Sequence, residues 1–289
     1  DGSFSFESIP YGTWYVREIE QPAGFVLDDT VYPVTIGKDG QVVEIKIVNK
    51  YIRGNIHLTK VDAEYPDNKL TGATFEVYKD SNGSGKLDDG DELLGTLTEK
   101  EIGSYEMKDL FYGRYFVKET KAPEGFVLDT GVYEVMIDTD GKTCEVENKA
   151  GVGFINEAMR GNLKIVKTSS DGKIKGFAFR ITGANGYDII LETNDKGEIV
   201  IEGIRIGDYT VSEVSNSASA MYVLPADKKA TVKTGSTTIV EMHNVLRDTP
   251  KTGDATNLPL LYALAGLSAV GIAVTAFVGF KKKKKEGND

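Results

Sequence analysis

The chain has 289 residues, a length typical of about two domains. Its 44 Asp and Glu residues outnumber 34 Lys and Arg residues and give a formal net charge of −10, so the sequence offers no basic surface for phosphates, and nucleic acid is not expected as a partner. One cysteine and two histidines exclude a disulfide framework and a zinc site built from clustered Cys and His ligands.

Segments of similar sequence indicate internal repeats. Residues 9–29 (IPYGTWYVREIEQPAGFVLDD) match residues 110–130 (LFYGRYFVKETKAPEGFVLDT), and residues 204–214 match the first halves of both. An Arg-Gly-Asn motif begins at residues 53 and 160, which are 107 residues apart, a period that suits tandem globular domains. We divide this region into a first repeat (1–51, the C-terminal half of a truncated unit), a second repeat (52–158) and a third repeat (159–247), and interpret the chain as the C-terminal part of a longer protein.

Alternation with period two dominates these repeats. Segments such as TFEVYKD, VYEVMID and FAFRIT alternate apolar and polar residues and are separated by Gly, Asp and Asn. This pattern predicts short antiparallel strands joined by turns. The predicted fold class is therefore all-β, with β-sandwich domains in tandem.

The same alternation places a lysine, a glutamate and an asparagine on apolar strand faces. The lysines are Lys60 and Lys167, the glutamates are Glu18, Glu119 and Glu213, and the asparagines are Asn49, Asn156 (or Asn148) and Asn244. Lys and Glu are rarely buried unless they are paired. One interpretation is a buried Lys–Glu pair with a hydrogen-bonded Asn beside it.

The alternative is a covalent crosslink that the domain makes by itself. Burial lowers the pKa of a lysine and raises that of a glutamate. A neutral amine can attack the Asn side-chain carbonyl, and a protonated Glu can polarise this carbonyl and carry protons. Ammonia leaves and a Lys–Asn isopeptide bond remains, so the folded chain is both catalyst and substrate.

At these residues the chain resembles the collagen-adhesin B-type repeat, which has an Ig-like, prealbumin-like fold and also occurs in Gram-positive pilins. The segments LTKVD and YFVKETKAPEGF and the Asn of the last strand carry the resemblance. It implies a reactive Lys on the first strand, an Asn on the last strand and a catalytic Glu in the ETKAPEGF box. The third repeat departs from this pattern, since Glu213 is followed by VSNSASAMYVL without the Ala-Pro-x-Gly element.

The second repeat contains two candidate asparagines. Asn148 follows Glu119 by 29 residues, close to the 31 residues that separate Glu and Asn in the other repeats. Asn156 precedes Lys167 by 11 residues, as Asn49 precedes Lys60. We favour Asn156, with residues 142–156 forming an added hairpin and Cys144 in the core.

An insertion in the second repeat resembles a calcium-binding loop in its spacing. Oxygen-bearing side chains occupy positions 1, 3, 5, 9 and 12, and Lys86 offers a backbone carbonyl at position 7. The six candidate ligands are Asp80, Asn82, Ser84, Lys86, Asp88 and Asp91. Because Ser84 replaces a carboxylate and Asp91 is shorter than Glu, calcium would bind weakly; the alternative is a solvated acidic hairpin tip, and the fold requires no cofactor.

The first repeat has Glu18 and Asn49 but lacks a lysine on a preceding strand. It also lacks the strands that would cover Trp14 and Ile45. We therefore expect residues 1–51 to be disordered or prone to aggregation and residues 52–248 to be folded.

The C-terminus predicts a membrane anchor. Residues 258–280 carry no charge and as a helix would span about 34 Å, and Lys281 to Lys285 in the basic tail (281–289) mark its cytoplasmic side. The linker before it (248–257) contains Thr249, Pro250, Lys251, Thr252 and Gly253. This order resembles the Gram-positive cell-wall sorting signal LPXTG, with Thr249 in place of Leu. The resemblance implies cleavage by a sortase between Thr252 and Gly253 and transfer of Thr252 to a peptidoglycan precursor.

These features predict the stalk of an adhesin covalently anchored to the cell wall, whose surface or host ligand would bind an N-terminal region outside this sequence. One alternative is a sortase-assembled pilin subunit, although Val34 stands where a VYPK-like pilin motif has its Lys. The other is the stalk of a secreted enzyme. We expect that this chain is not an enzyme, because His57 and His243 lie on outward strand faces with no Ser or Cys nucleophile predicted beside them.

Overall fold

A computed structural model of the chain describes residues 2–248. Within this range the regular structure consists of β strands and one short 3-10 turn, Ala184–Gly186, which confirms the all-β prediction. No helix among these residues is long and apolar enough to cross a membrane. The sorting motif, the predicted membrane helix at 258–280 and the basic tail lie outside the described residues.

The strands fall into three groups that follow the repeats. The first repeat contains β1 (Gly12–Val16) and β2 (Tyr32–Ile36). The second contains β3 (Arg53–Asp62), β4 (Thr74–Lys79), β5 (Glu92–Thr96), β6 (Thr98–Glu101), β7 (Ser104–Phe111), β8 (Gly113–Lys121), β9 (Val132–Ile137), β10 (Thr143–Glu145) and β11 (Phe154–Asn156). The third contains β12 (Arg160–Ser169), β13 (Ala178–Thr182), β14 (Asp188–Glu192), β15 (Glu198–Arg205), β16 (Gly207–Val214), β17 (Tyr222–Val223), β18 (Lys228–Val232) and β19 (Thr237–Leu246).

The second and third repeats are each built from two sheets. In the second repeat one sheet runs β6-β7-β3, with β10 and β11 both on the free edge of β3, and the other runs β5-β4-β8-β9. In the third the sheets run β15-β12-β19-β17 and β14-β13-β16-β18. In both of these repeats the first strand pairs in parallel with the last, β3 with β10 and β11, and β12 with β19. This pairing brings a Lys on the first strand next to an Asn on the last.

The period-two alternation of the sequence matches the burial of the strands. In β3, Ile56 and Leu58 are fully buried, whereas the intervening His57 is only partly covered. Phe75 on β4 packs against them and makes an edge-on contact with Phe154, with ring centroids 4.9 Å apart. Each such buried side chain contributes about 2 kcal/mol to the free energy of folding, before entropy is counted. Cys144 lies half-buried at the edge of this core.

A glycine with positive φ begins the equivalent strand in every repeat. The φ angles are 140° at Gly12, 148° at Gly113 and 134° at Gly207, a region that favours glycine. Two residues later in the second and third repeats, the Tyr115 and Tyr209 hydroxyls donate to backbone carbonyls four residues upstream, at 2.6 and 2.9 Å. This turn explains why the glycine and the glutamate keep a constant spacing: both belong to one rigid strand that starts at a fixed corner.

The last strand of the second repeat is interrupted. β10 and β11 both continue the edge of β3, and residues 146–153 leave the sheet between them. A bridge between Lys149 and Gly153 closes this excursion. In the third repeat β19 runs along β12 without such a break. The prediction that residues 142–156 form an added hairpin is thus wrong for its two ends. β10 and β11 both pair with β3 in the main sheet, and only residues 146–153 lie outside it.

The junctions between repeats use one hydrogen-bond pattern. At the first junction the Ile52 N–H donates to Gly24 O at 2.8 Å, and Ile52 O accepts from the Tyr112 N–H at 3.0 Å. At the second, the Met159 N–H donates to Gly125 O at 2.8 Å and Met159 O accepts from the Ile206 N–H at 3.0 Å. The glycine of a Pro-x-Gly segment, Gln-Pro-Ala-Gly in the first repeat and Ala-Pro-Glu-Gly in the second, therefore holds the linker that leads into the next repeat.

Candidate functional site

Lys60 lies in the core of the second repeat with none of its surface exposed. Its Nζ donates to the backbone carbonyl of Phe154 at 2.9 Å and lies 5.5 Å from the centre of the Phe154 ring. Burial lowers the pKa of Lys60 to about 8, although the negative charges of Glu119, Asp129 and Asp62 act in the opposite direction. A substantial fraction of this amine is therefore neutral near physiological pH.

Glu119 on β8 is also fully buried. Its Oε2 accepts hydrogen bonds from Asn156 Nδ2 at 2.7 Å and from the Asp129 N–H at 2.8 Å. Its Oε1 has no hydrogen-bond partner among the described residues. Burial raises the pKa of Glu119 against the lowering effect of these hydrogen bonds, so the site favours a protonated carboxyl more than water does.

Asn156 at the end of β11 completes the arrangement. The residue is 3% exposed, and its Nδ2 also donates to Val127 O at 2.5 Å. Its Oδ1 is buried and lacks a partner within residues 2–248. Glu119 Oε1 and Asn156 Oδ1 both lack partners among the described residues. A proton on Glu119 donated to the asparagine carbonyl would polarise the amide carbon for attack by Lys60.

A simple buried ion pair does not describe the site. The ion pairs found between residues 2 and 248 include none that joins Lys60 to Glu119 or Lys167 to Glu213. The lysine amines instead contact backbone carbonyls and aromatic rings. Each centre thus has an asparagine amide that is hydrogen-bonded to the glutamate and a lysine amine that makes no ion pair with it.

Asn148, the other candidate, has a different set of partners. Its Nδ2 donates to Asp129 Oδ2 at 2.6 Å and to Ile155 O at 2.8 Å, and its Oδ1 accepts from the Ile155 N–H at 2.6 Å. Both ends of the amide therefore hold the excursion 146–153 in place. The structure brings Asn156, and not Asn148, to Glu119.

The third repeat contains the same combination of a buried lysine, glutamate and asparagine. Lys167 is 1% exposed, Glu213 is 8% exposed and Asn244 is fully buried. Asn244 Nδ2 donates to Glu213 Oε1 at 2.6 Å, while Glu213 Oε2 and Asn244 Oδ1 lack partners in the described chain. Lys167 Nζ donates to Thr168 O and lies 4.1 Å from the centre of the Phe177 ring. Burial lowers the pKa of Lys167 and raises that of Glu213. The missing Ala-Pro-x-Gly box does not disturb this centre.

The first repeat shows the same glutamate–asparagine contact without a lysine. Asn49 Nδ2 lies 2.7 and 2.8 Å from the two carboxylate oxygens of Glu18, and the Asp28 N–H donates to Glu18 Oε2 at 2.9 Å. Trp14 is 43% exposed and Ile45 37% exposed, so the apolar face near this pair is partly open to solvent. Residues 2–248 thus contain two complete centres and one half centre, which has the glutamate and the asparagine only.

The candidate calcium loop is closed by its own hydrogen bonds. Asp80 Oδ2 accepts from the Gly85 N–H at 3.1 Å, Asp88 Oδ1 accepts from Asn82 Nδ2 at 2.7 Å, and Asp91 Oδ1 accepts from the Ser81 N–H at 3.2 Å. The Ser84 hydroxyl donates to Lys86 O at 2.8 Å. Between residues 2 and 248 no three His, Cys, Asp or Glu side chains form a group that could hold a metal ion. Calcium binding here stays a prediction.

One expectation about the histidines is wrong. His57 Nε2 lies 2.9 Å from Ser104 Oγ, and His57 Nδ1 lies 2.7 Å from Glu145 Oε2. A serine therefore does lie beside a histidine, because β7 and β10 flank β3 and bring the two side chains to the same outer face. A cleft of about 500 Å³ at the junction of the second and third repeats contains none of these three residues. We assign Ser104, His57 and Glu145 a structural role, because their contacts link β7, β3 and β10. His243 makes a comparable contact with the Thr168 hydroxyl, at 2.8 Å.

Two acidic residues that act on Lys60, Asp129 and Asp62, were not identified as functional residues from the sequence. Asp129 accepts from the Tyr133 hydroxyl at 2.9 Å, and Asp28 has the equivalent contact with Tyr32. The signal was available, since Asp follows Phe-Val-Leu in both matching segments. Asp62 follows Lys60 by two residues but pairs with Arg205 of the next repeat, a contact that no local pattern indicates.

Known proteins resemble this chain in sequence and in structure. A 204-residue stretch is 26% identical to the trypsin-resistant surface T6 protein of Streptococcus pyogenes serotype M6, over 60% of this chain and 35% of that protein, so the chain spans about a third of that relative. The structure matches the Bacillus anthracis TIE protein with a TM-score of 0.60 and 25% identity, over 83% of this chain and 42% of that one. It also matches a streptococcal ancillary pilin at 20% identity, over 83% and 77% of the two chains, but the TM-score of 0.31 is too low to support an inference.

A family match covers most of the chain. The SpaA family, described as a prealbumin-like fold domain, matches residues 1–51, 54–150 and 161–246. The second of these matches ends before β11 and Asn156. The two complete sandwiches and their parallel first and last strands agree with this assignment. The chain belongs to the SpaA family of prealbumin-like fold domains.

Proposed function

We propose that this chain is the stalk region of a Gram-positive cell-surface protein whose domains lock themselves with Lys–Asn isopeptide bonds. The observation that carries the proposal is the buried Lys, Glu and Asn centre, which occurs twice with the same glutamate–asparagine hydrogen bond and the same unpartnered oxygens. Similarity to a streptococcal surface protein supports a location on the cell surface. The role is structural, and catalysis is limited to one reaction in each domain.

The proposed reaction proceeds within one folded domain. The neutral Nζ of Lys60 forms a bond to Cγ of Asn156, and Glu119 donates its proton to the amide oxygen as the tetrahedral intermediate forms. Glu119 then carries a proton from the attacking nitrogen to Nδ2. The bond between Cγ and Nδ2 breaks, ammonia leaves, and the oxygen returns its proton to Glu119 as the carbonyl reforms. The product is a secondary amide, and Glu119 ends as it began. Lys167, Glu213 and Asn244 perform the same steps in the third repeat.

Intact-mass spectrometry tests the crosslinks. The chain should weigh less than its sequence mass by two ammonia molecules, because two complete centres are present. Lys60→Ala, Glu119→Ala and Asn156→Ala should each restore the mass of one ammonia. Asn148→Ala is the matched control and should leave both bonds intact, because Asn148 is bonded to Asp129 and Ile155. A wild-type mass equal to the sequence mass would contradict the proposal.

We further propose that a sortase attaches the chain to peptidoglycan through Thr252. The support is the order of the motif at 249–253, the uncharged segment at 258–280 and the lysines that follow. In the native host the protein should resist boiling detergent and be released by a wall hydrolase. Thr252→Ala should leave the protein in the membrane fraction, whereas Thr256→Ala, the matched control, should not. Extraction of the wild type by detergent alone would show a plain membrane anchor.

The alternative is a pilin subunit polymerised by a sortase. Such a subunit needs a donor lysine, and the segment Val31-Tyr32-Pro33 is followed by Val34. We therefore favour a monomeric stalk whose adhesive ligand binds elsewhere in the full protein. A ladder of covalent multimers in wall extracts of the native host would favour the pilin instead.

A further inference from the structure

A buried carboxylate lies close to the Lys60 centre and finds its cationic partner in another repeat. Asp62 is 2% exposed at the end of β3, two residues after Lys60 and directly opposite Asn156 in the β3–β11 pairing. Within its own repeat, Asp62 Oδ1 accepts from the Glu64 N–H at 2.9 Å and from the Tyr65 N–H at 3.3 Å. These bonds orient the carboxylate but do not neutralise it.

The neutralising charge comes from Arg205 at the end of β15, in the third repeat. Arg205 Nη1 donates to Asp62 Oδ2 at 2.7 Å and Nη2 donates to Asp62 Oδ1 at 2.5 Å. Arg205 Nε donates to Glu64 Oε2 at 2.7 Å, and the guanidinium carbon lies 4.9 Å from the centre of the Tyr65 ring. A two-pronged, largely buried contact of this kind is strong and specific in geometry.

We propose that Arg205 is a positioning residue for the crosslink of the preceding repeat: by docking on the second repeat and neutralising Asp62, it allows Lys60 to lose the proton that blocks its attack on Asn156. This inference rests on the proposed isopeptide chemistry. It implies that the second repeat closes its bond efficiently only when the third repeat has folded against it.

The charges around Lys60 explain why Asp62 matters. Three carboxyl groups raise the pKa of the amine: Glu119 from β8 most, then Asp129 from the segment after β8, and then Asp62 from β3 itself. Glu119 is the group that carries the reaction's proton, and the charge of Asp129 is spread over hydrogen bonds from Asn148, Tyr133 and the Gly131 N–H. The charge of Asp62 is balanced by an arginine from outside the repeat. If Arg205 were lost, the uncompensated negative charge of Asp62 would favour the protonated, charged form of Lys60.

The third repeat supplies an internal comparison. Two residues after Lys167 stands Ser169, which is neutral. Apart from Glu213, the carboxylate that raises the pKa of Lys167 is Asp171, which accepts a hydrogen bond from the Tyr222 hydroxyl at 2.6 Å and is paired with Lys173 at 3.6 Å. The Lys167–Asn244 centre therefore needs no arginine from a neighbour.

The test follows both bonds in one molecule. The full chain is made by cell-free synthesis and held at fixed pH, the reaction is stopped in acid, and the Lys60–Asn156 and Lys167–Asn244 peptides are quantified by mass spectrometry after digestion. The variants are Arg205→Met, Arg205→Lys and the double variant Arg205→Met with Asp62→Asn. Arg180→Met is the matched control, because Arg180 pairs with Asp188 inside the third repeat.

We expect Arg205→Met to slow the Lys60–Asn156 bond about tenfold at neutral pH, the effect of one unit in the pKa of the amine. Its rate profile should move to higher pH, whereas the Lys167–Asn244 rate and the Arg180→Met chain should be unchanged. Arg205→Lys should recover part of the rate. Adding Asp62→Asn should restore it, because the charge to be neutralised is then gone.

The outcomes separate this inference from the proposed function. If neither bond forms in the wild type, the isopeptide proposal itself fails. If both bonds form and Arg205→Met leaves the first one unchanged, Arg205 has no positioning role. If Arg205→Met slows the bond without a shift in the pH profile and Asp62→Asn does not restore it, the residue acts only by holding the repeats together, and the charge argument is overturned.

Discussion

Each complete centre leaves the same two oxygens without partners among residues 2–248, the amide oxygen of the asparagine and one oxygen of the glutamate. A buried polar atom without a hydrogen bond costs about 1–3 kcal/mol, and a buried amine adds its own desolvation. Before the bond forms, both centres are therefore local weak points in well-packed cores. The reaction removes the desolvation cost of the buried amine, because the amide that replaces it carries no charge at any accessible pH.

This reasoning predicts how the stability of an unreacted domain depends on pH. Asn156→Ala keeps Lys60 as a free amine. Its folded pKa of about 8 is lower than its unfolded value of 10.5, so the unfolded state binds more protons between these two values. The free energy of unfolding should therefore rise as the pH increases from about 8 towards 10.5, by as much as about 3 kcal/mol.

Denaturant titrations of Asn156→Ala at several pH values would measure this rise. The double variant Asn156→Ala with Lys60→Met serves as the control, since it lacks the amine but keeps every other titrating group. The crosslinked wild type should follow the double variant. Equal pH dependence in Asn156→Ala and in the double variant would mean that Lys60 is not held in a low-dielectric site.

At this scale the sequence predicted most of the centre. Strand alternation placed Lys60, Glu119 and Asn156 on inward faces, because a pleated strand presents every second side chain to the core. The spacing after Glu119 could not decide between Asn148 and Asn156, because the excursion that separates them preserves the phase of the strand. Arg205 could not be foreseen, because its contact with Asp62 depends on how two repeats dock.

Among the elements, the loop between β4 and β5 distinguishes the second repeat from the third. The connection between β4 and β5 spans residues 80–91, whereas β13 and β14 are joined by residues 183–187. The length difference was visible in the sequence, and the insertion lies where it was expected. Its chemistry is less determined. The Asp80 side chain is 3% exposed and its Oδ1 has no partner among the described residues, whereas Asp88 and Asp91 accept hydrogen bonds within the loop.

We predict that calcium is dispensable for folding and binds loop 80–91 weakly. A chelator should leave the unfolding temperature unchanged, and calcium at ten times its dissociation constant should stabilise the domain by about 1.4 kcal/mol. Asp80→Asn should abolish this response. Asp89→Asn is the matched control, because Asp89 is exposed and does not occupy a ligand position. Equal calcium responses in the two variants would exclude the loop as the site.

The Ala-Pro-x-Gly box has a role that the sequence alone had not indicated. Gly125 has a φ of +84°, and its carbonyl receives the linker residue Met159. A Cβ at Gly24, the equivalent position in the first repeat, would lie 3.3 Å from the Tyr112 ring of the following repeat. The box thus serves the junction, which explains why the third repeat keeps its Lys, Glu and Asn centre without it.

At the scale of the whole molecule, the first repeat has the least packing around its strands. Its regular structure within the described residues is the pair β1 and β2, and an isolated two-stranded sheet is marginally stable. Tyr15 is 71% exposed and Trp14 43% exposed. We predict fast hydrogen exchange in β1 and β2 and slow exchange in the equivalent strands β8 and β9 of the second repeat. Equal protection in the two pairs would show that the first repeat is stable without further strands.

A related prediction concerns completion of the first repeat by added strands. Residues 53–111, supplied as a separate piece, carry β3 to β7 and Lys60, the elements that the first repeat lacks. Added to residues 1–51, this piece should slow exchange in β1 and β2 and form a covalent adduct at Asn49, lighter by one ammonia than its two parts together. An added piece that carries Lys60→Met should still slow hydrogen exchange in β1 and β2 but should form no covalent adduct. An adduct that survives Asn49→Ala would arise elsewhere.

The parallel pairing of first and last strands has a mechanical consequence. In each complete repeat the chain enters on the strand that carries the lysine and leaves on the strand that carries the asparagine. With the proposed bond in place, a pull along the chain passes from Lys60 straight to Asn156 and bypasses the 95 residues between them. Those residues could otherwise extend by about 320 Å at 3.3–3.6 Å per residue. A crosslinked repeat would therefore stretch very little under load and would return to the same length when the load is removed.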